Sequence, residues 1–291
     1  GTTTGAPLGI LIQNTQADSS KYEPIKDVLR PGHANFTYLE KYGVFDYRGG
    51  GRASARETAC RVAAGAVAEK ILVSLKIKVY SYLISLGPSL EIPMEQIDWT
   101  QLENILKASS LFVPEPNFES LFQQEVTKIK EQRDSLGGVV GFSIIGLPKG
   151  LGDPVYEKLE ANLAKAMMSI PASKGFEVGL GFKAAKMLGS QHNDTFIVKD
   201  NQVRPKTNQA GGLLGGISTG EPLNGRVAFK PTSSIFLPQQ TTTKQGESTM
   251  ISLPEGSRHD PCLAIRAVPV VEAMCSLVIA DAVLMANAIK L

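Results

Sequence analysis

Between Arg30 and Arg61 the sequence gathers six cations, Arg30, Lys41, Arg48, Arg52, Arg56 and Arg61, against three acids, Glu40, Asp46 and Glu57. That window carries 6 − 3 = +3 while the whole chain carries 30 − 28 = +2, so the surplus is local. The same stretch holds His33 in the run Arg30-Pro31-Gly32-His33, and the triple glycine Gly49 to Gly51 ahead of Arg52, Ala53 and Ser54. Ser54 followed three residues later by Glu57 has capping-box spacing, which places a helix N-terminus at Ser54. A helix start presents unpaired N–H groups and the positive end of the peptide dipoles, worth ~0.3–1 kcal/mol to an exposed anion. Flanked by Arg52 and Arg56, with glycines that admit a ligand to the backbone, this start reads as a seat for phosphate or carboxylate groups. The plainer alternative is a basic loop capped by an ordinary helix.

Three later stretches have similar character. Lys230 is followed by Pro231, Thr232, Ser233 and Ser234, one cation with three hydroxyls, which suits phosphate, although a solvated turn has the same composition. Gln209 to Gly220 holds five glycines, but the spacing does not match G-x-G-x-x-G and no Gly-Lys-Ser/Thr follows. A linker and a close approach to a flat or charged ligand both stay open there. Arg258, His259, Asp260, Pro261 and Cys262 form the third stretch, with no triad pattern to make Cys262 a nucleophile.

The composition is that of an ordinary globular protein: 291 residues, 43% hydrophobic and 20% charged. An isoelectric point near 8.3 lies below the ~9 of a typical nucleic-acid-binding domain, so no nucleic-acid partner is expected. Cys60, Cys262 and Cys275 are odd in number and lack C-x-x-C spacing, which suggests neither a disulfide framework nor a zinc site and fits a reducing cytoplasm. Arg266, Glu272 and Asp281 interrupt the apolar C-terminal run, leaving it short of the ~20 residues that span a bilayer. No membrane association is expected.

Around these stretches the pattern predicts strands at Pro7 to Asn14, Ser74 to Leu86, Val139 to Gly146, Phe176 to Phe182 and Arg226 to Phe229, and a hairpin over Phe196 to Arg204. Helices are expected after Ser54, near Leu102 to Lys107, from an Asn117 cap to Gly137, from an Asp153-Pro154 start through Ile170, and from about Pro269 to Ile289. Gln239 to Ser248 reads as polar and mobile. No repeat or clear linker divides the chain, so residues 1–291 are expected to form a single domain of α+β class.

Taken in order, Arg30 to His33, Asp46 to Arg52 and Ser54 to Thr58 resemble the chorismate synthase family pattern R-P-G-H, D-Y-R-G-G-G-R and S-A-R-E-T. The resemblance extends through GLGDPVYEKLEANLAKAMMSIPASKGFEVGLGF from Gly150, NQAGGLLGGISTGEP from Asn208, FKPTSSI from Phe229 and RHDPCLAIRAVPVVEAM from Arg258. It implies a β-α-β sandwich with sheets packed on a central helical layer. It also implies a cytoplasmic homo-oligomer, tetrameric in most members.

The implied reaction is a 1,4-anti elimination of phosphate from 5-enolpyruvylshikimate 3-phosphate to give chorismate, the last common step of the shikimate pathway. It depends on reduced FMN. Some members reduce their own flavin, which brings in NADP, and others use an external reductant; no residue here decides between them. Carried onto matching positions, flavin contacts are expected at Arg52, Ala53, Ser54, Pro171, Ala172, Gly215, Lys230, Pro231, Thr232, Ser233, Ser234 and Arg258. Arg30, Arg48 and Arg56 are expected to hold the anionic substrate, His33 to protonate or stabilise the reduced flavin, and Asp260 to accept a proton. Two departures stand out. Asn35 replaces an aspartate common after R-P-G-H-A, and the family's early G-E-S-H-G histidine motif has no counterpart, from which little or no turnover is expected of these 291 residues alone. A chain that keeps the fold and sits catalytically idle is the competing reading. A nicotinamide-dependent oxidoreductase is a third, weakened by the missing dinucleotide fingerprint.

Overall fold

The structure, a computed structural model, describes residues 3–15, 18–48, 54–88, 90–254, 257 and 260–289. Arg52, Ala53, Arg258, His259 and the triple glycine lie outside the described residues.

A short helix, α1 (Asn35–Tyr42), follows the His33 turn and is closed by Gly43 at φ +71°. Ser54 is an N-cap as expected. Its Oγ accepts from the N–H of Arg56 at 3.3 Å and starts a 3-10 turn, Ala55–Glu57, that runs into α2 (Thr58–Ser74). The chain continues through β1 (Lys78–Leu86), β2 (Leu90–Glu91), α3 (Leu102–Ala108), α4 (Pro116–Glu131), β3 (Gly138–Ile145), α5 (Leu159–Met168), β4 (Ser173–Val178) and the one-turn α6 (Gly189–His192). Three hairpins and a strand follow: β5 (Phe196–Lys199) with β6 (Gln202–Pro205), β7 (Leu213–Leu214) with β8 (Ile217–Ser218), β9 (Leu223–Phe229), and β10 (Gln239–Thr242) with β11 (Ser248–Ile251). The chain closes with α7 (Leu263–Ile289).

The main sheet is antiparallel with strand order β2-β1-β3-β9-β4. Helices α2, α5 and α7 form a layer against it, with α7 lying on β1 and β3, α2 on α7, and α5 between α7 and β4. This is the α+β class expected, with the sheet packed on a helical layer. One continuous core joins the two, through Leu83, Val140, Phe142 and Val227 on the sheet and Leu163, Val271 and Ile279 on the helices.

Several sequence expectations fail for tertiary reasons. Pro7 to Asn14 pairs with no strand among the described residues, and Leu8 and Leu11 stand 62% and 84% exposed. Ser74 ends α2, so β1 begins at Lys78 after a turn through Lys76 at φ +62°. The cap of α4 is Glu115, which accepts from Asn117 N–H at 3.1 Å, with Pro116 at the first helical position. Asp153 and Pro154 start no helix; α5 begins at Leu159, whose N–H donates to Gly216 O, so the β7–β8 hairpin sets that end. Gly179 and Gly181, both at positive φ, end β4 at Val178. The glycine-rich stretch is the β7–β8 hairpin turning on Gly215 and Gly216, and Gln239 to Ser248 forms most of β10–β11. Helix α7 starts six residues before Pro269 and, despite its three charges, is long and apolar enough to cross a bilayer by composition. Half of that apolar window is buried within this chain, as in a core helix.

Gly65 lets α2 approach α7. A Cβ there would lie 2.6 Å from the Cα of Ala273 and nearer still to its Cβ. Because the obstacle includes backbone, the helices must part to accept it, and overpacking of this kind costs roughly 1–3 kcal/mol. Gly65→Ala is therefore expected to lower the thermal midpoint by about 2–4 °C per kcal/mol lost, and an unchanged midpoint contradicts this packing.

Candidate active site

The turn Arg30 to His33 is closed by the N–H of His33 donating to Arg30 O at 3.2 Å. Gly32 takes φ +64°, where a Cβ would lie 3.1 Å from Ser233 Oγ and 3.5 Å from Lys230 Nζ. Both groups donate to the carbonyl of Gly32, Lys230 Nζ at 2.6 Å and Ser233 Oγ at 2.9 Å, and Lys230 also donates to Ser233 Oγ at 2.8 Å. Arg30, Pro31, Ser233 and Ser234 line one crevice. The hydroxyl of Thr232 is buried without a hydrogen-bond partner. Such a group normally finds a partner in protein, water or ligand.

Lys230 extends the cluster across the sheet edge. Its N–H donates to Ala172 O at 3.0 Å, and Ala172, held at φ +70°, adjoins Pro171. Pro171 lines a cavity of about 520 Å³ together with Ala55, Arg56, Thr58, Asp260 and Leu263. Its walls are the first turns of α2 and α7 and the end of the α5–β4 connection. So residues far apart in sequence are linked by a chain of contacts: the His33 turn to Lys230 and Ser233, the Lys230 backbone to Ala172, and the neighbouring Pro171 to the cavity it shares with Arg56 and Asp260. Pro231 sits in the same run and packs against the Gly137 backbone.

The expected residues divide unequally. Arg48 is held by Asp46 through two 2.9 Å bonds on the exposed surface and lines none of these cavities. Gly215 lies at the opposite end of α5 from Pro171, about 15 Å away by the rise of the helix, so one chain does not bring it to the others. Arg52, Ala53 and Arg258 lie outside the described residues. Asp260 pairs with Arg266 at 2.6 Å on the cavity rim.

Electrostatics also depart from expectation. His33 does not keep the ordinary value that would suit a proton donor near neutrality; burial first, then Arg30 and Lys230, pushes it down to about 4. Burial lowers Arg30, and burial with neighbouring Lys174 lowers Lys230. These are cations in a cationic, partly desolvated place, the condition that favours an anionic guest. Asn35 has a local reason to be an amide: it is 2% exposed, and its Nδ2 donates to Val28 O at 3.1 Å, which an ionised aspartate does not do.

Sequence reasoning missed the clamp around Arg61. It pairs with Glu57 at 2.9 Å and donates to Ser169 Oγ at 2.7 Å and Ser169 O at 3.1 Å, fixing the start of α2 against the connection that carries Pro171. The i, i+4 spacing of Glu57 and Arg61 was a visible signal. A second cavity, about 490 Å³, lies between β1, α2 and α3 and contains Glu69, Lys78, Glu103 and Glu272. Glu272 is pushed up by burial and accepts from Ser81 at 3.0 Å.

Comparison with known proteins fits this geometry. The family model for chorismate synthase matches residues 1–284. A chorismate synthase of Protochlamydia amoebophila is 55% identical over 291 residues, covering 99% of this chain and 79% of the relative. One from Porphyromonas gingivalis is 48% identical over 285 residues, covering 98% and 76%. The chain belongs to the chorismate synthase family. A crystal structure of a chorismate synthase superposes with a TM-score of 0.69 at 33% identity, over 85% of this chain and 69% of that one. The fold on which the Lys230 and Pro171 segments meet is thus the chorismate synthase fold.

The cations of this chorismate synthase relative therefore separate into structural and available groups. Arg61→Met removes several charge-assisted bonds and leaves Glu57 half-buried without its cation, an expected loss of about 1.5–3 kcal/mol in chemical denaturation. Arg48→Met breaks an exposed, solvent-screened pair and is expected to leave the denaturation midpoint unchanged. Equal effects would show that the clamp is misread.

Proposed function

We propose that this protein catalyses the 1,4-anti elimination of phosphate from 5-enolpyruvylshikimate 3-phosphate, giving chorismate with the help of reduced FMN. The observation that carries the reading is the Gly32 carbonyl bracketed by Lys230 and Ser233 beside His33, with the Lys230 backbone tied to Ala172. When bound, a reduced flavin supplies electron density that eases departure of the allylic phosphate. The orphaned Thr232 hydroxyl, the capped start of α2 and the surplus of cations fit a phosphate-bearing cofactor.

In this reading Lys230, Ser233 and Thr232 hold an anionic group of cofactor or substrate. Ser54 and Arg56 present the N–H groups and positive charge of the first α2 turn to a second one. Arg30 binds substrate next to His33. Asp260, oriented by Arg266, accepts the ring proton that leaves during elimination. Water is kept from the reacting face by the apolar wall of Val62, Ile170, Leu263 and Val270. We also read the protein as a cytoplasmic homo-oligomer, tetrameric as the resemblance implies; the exposed apolar residues Phe196, Val198 and Val203 of the β5–β6 hairpin support assembly.

The test is an anaerobic titration with reduced FMN and substrate, followed by product absorbance, on the product of the complete gene. Chorismate is expected in wild type. Lys230→Met is expected to weaken binding about 10- to 100-fold, as for loss of a charge-assisted hydrogen bond. No chorismate from wild type, or unaltered binding in Lys230→Met, overturns the reading.

A further inference from the structure

The protein groups at the ring nitrogens of His33 only donate. The Nη2 of Arg30 lies 3.1 Å from Nδ1 and 2.8 Å from Nε2, and the N–H of Asn35 points at Nδ1 from 3.3 Å. One Nη2 that close to both ring nitrogens cannot lie along both of their in-plane N–H directions, so what it brings to the imidazole is positive charge: a second proton on the ring would face that charge, with no acceptor offered by the guanidinium or the backbone amide. The amide neighbour is fixed. Asn35 is buried and fastened through Val28 O, and Val28 and Leu29 are fixed to the β10–β11 hairpin, with Leu29 N–H donating to Thr242 O at 2.9 Å and Thr241 Oγ1 to Leu29 O. On its other side Arg30 lies over the ring of Tyr22 at 5.7 Å, and His33 meets the edge of Phe45 at 6.3 Å. Among the described residues, the charged groups acting on His33 are Arg30 and Lys230, both cations.

We propose that Arg30 is a latch on His33: its guanidinium, seated against both ring nitrogens, keeps the imidazole uncharged until an anionic ligand draws the guanidinium away, and the ring then takes a proton from solvent. Arg30 acts as a positioning residue that makes the charge of His33 conditional on occupancy. An incoming phosphate or carboxylate supplies a better partner for the guanidinium than a neutral ring does. Once Arg30 pairs with it, the guanidinium charge is withdrawn from the ring, and the added negative charge favours the imidazolium. The site thereby gains one proton with its ligand and no other bond changes. This inference rests on the anionic-ligand reading of the site, but its first arm needs no ligand.

The experiment is ¹⁵N NMR of the ring nitrogens, with His33 assigned by loss of its signals in His33→Asn; the chain has only three histidines. In the ligand-free wild type the ring is expected to stay neutral at pH 6 and to charge only near pH 4. Arg30→Gln is expected to shift that titration upward, toward the ordinary 6.5. The sign carries to stability. A ring harder to protonate in the folded protein costs stability as pH falls from about 6.5 towards 4, and Arg30→Gln is expected to reduce this acid-dependent loss relative to its own neutral-pH stability. Adding 5-enolpyruvylshikimate 3-phosphate at pH 6 is expected to convert the wild-type ring to imidazolium, with proton uptake seen as buffer-dependent binding heat. An imidazolium in the free wild type at pH 6, or a titration unmoved by Arg30→Gln, overturns the latch. A substrate that binds without changing the ring also overturns it. A substrate that fails to bind, beside a free-protein titration as expected, counts against the proposed function and leaves the Arg30–His33 contact standing.

Discussion

The carbonyl oxygen of Gly32 accepts from Lys230 and Ser233, closing a contact between segments 198 and 201 residues apart. Everything proposed for the site depends on that closure. Gly32 can be approached so closely because it lacks a Cβ and sits at φ +64°, a conformation other residues rarely adopt. The same Lys230 reaches Ala172 through its backbone, so one residue holds the His33 turn on one side and the cavity beside α2 on the other. The main sheet and the helical layer supply the rigidity: β9 ends at Phe229, directly before Lys230, and pairs there with Ser173, directly after Ala172.

Cations in this protein fall into two populations. Arg48, Arg61, Arg226 and Arg266 face the carboxylates of Asp46, Glu57, Glu177 and Asp260, and serve to fix loops and helix ends. Arg30 and Lys230 instead contact a neutral imidazole, a carbonyl and a hydroxyl, none of which cancels a charge. Desolvation of a cation beside dipoles alone is unfavourable, and an anion relieves it. Local surplus charge in the sequence points to an anionic guest, but only the partners reveal which side chains would be available to one.

Features set by neighbours a few residues away were legible in the sequence. Ser54 caps where its spacing says, the Phe196 to Arg204 hairpin turns at Asp200 and Asn201 as read, and β3 falls where the apolar run lies. Features set across the fold were not. The Asp153-Pro154 pair has the chemistry of a helix start, yet the amide that begins α5 is claimed by Gly216. Pro7 to Asn14 has the composition of a strand and lacks a ladder partner among the described residues. His33 looked like a group titrating near neutrality because burial and two approaching cations leave no mark in a Pro-Gly turn. The matched motifs named the candidate residues, whereas their charge state had to come from packing.

The most direct measurement of the central claim is a crystal structure of the protein with FMN bound. The account predicts flavin density touching Lys230 and Pro171, with a phosphate at Ser233 or at the first turn of α2. Density confined to the cavity between β1 and α3, beside Lys78 and Glu272, with the Lys230 and Arg56 surfaces empty, would contradict it.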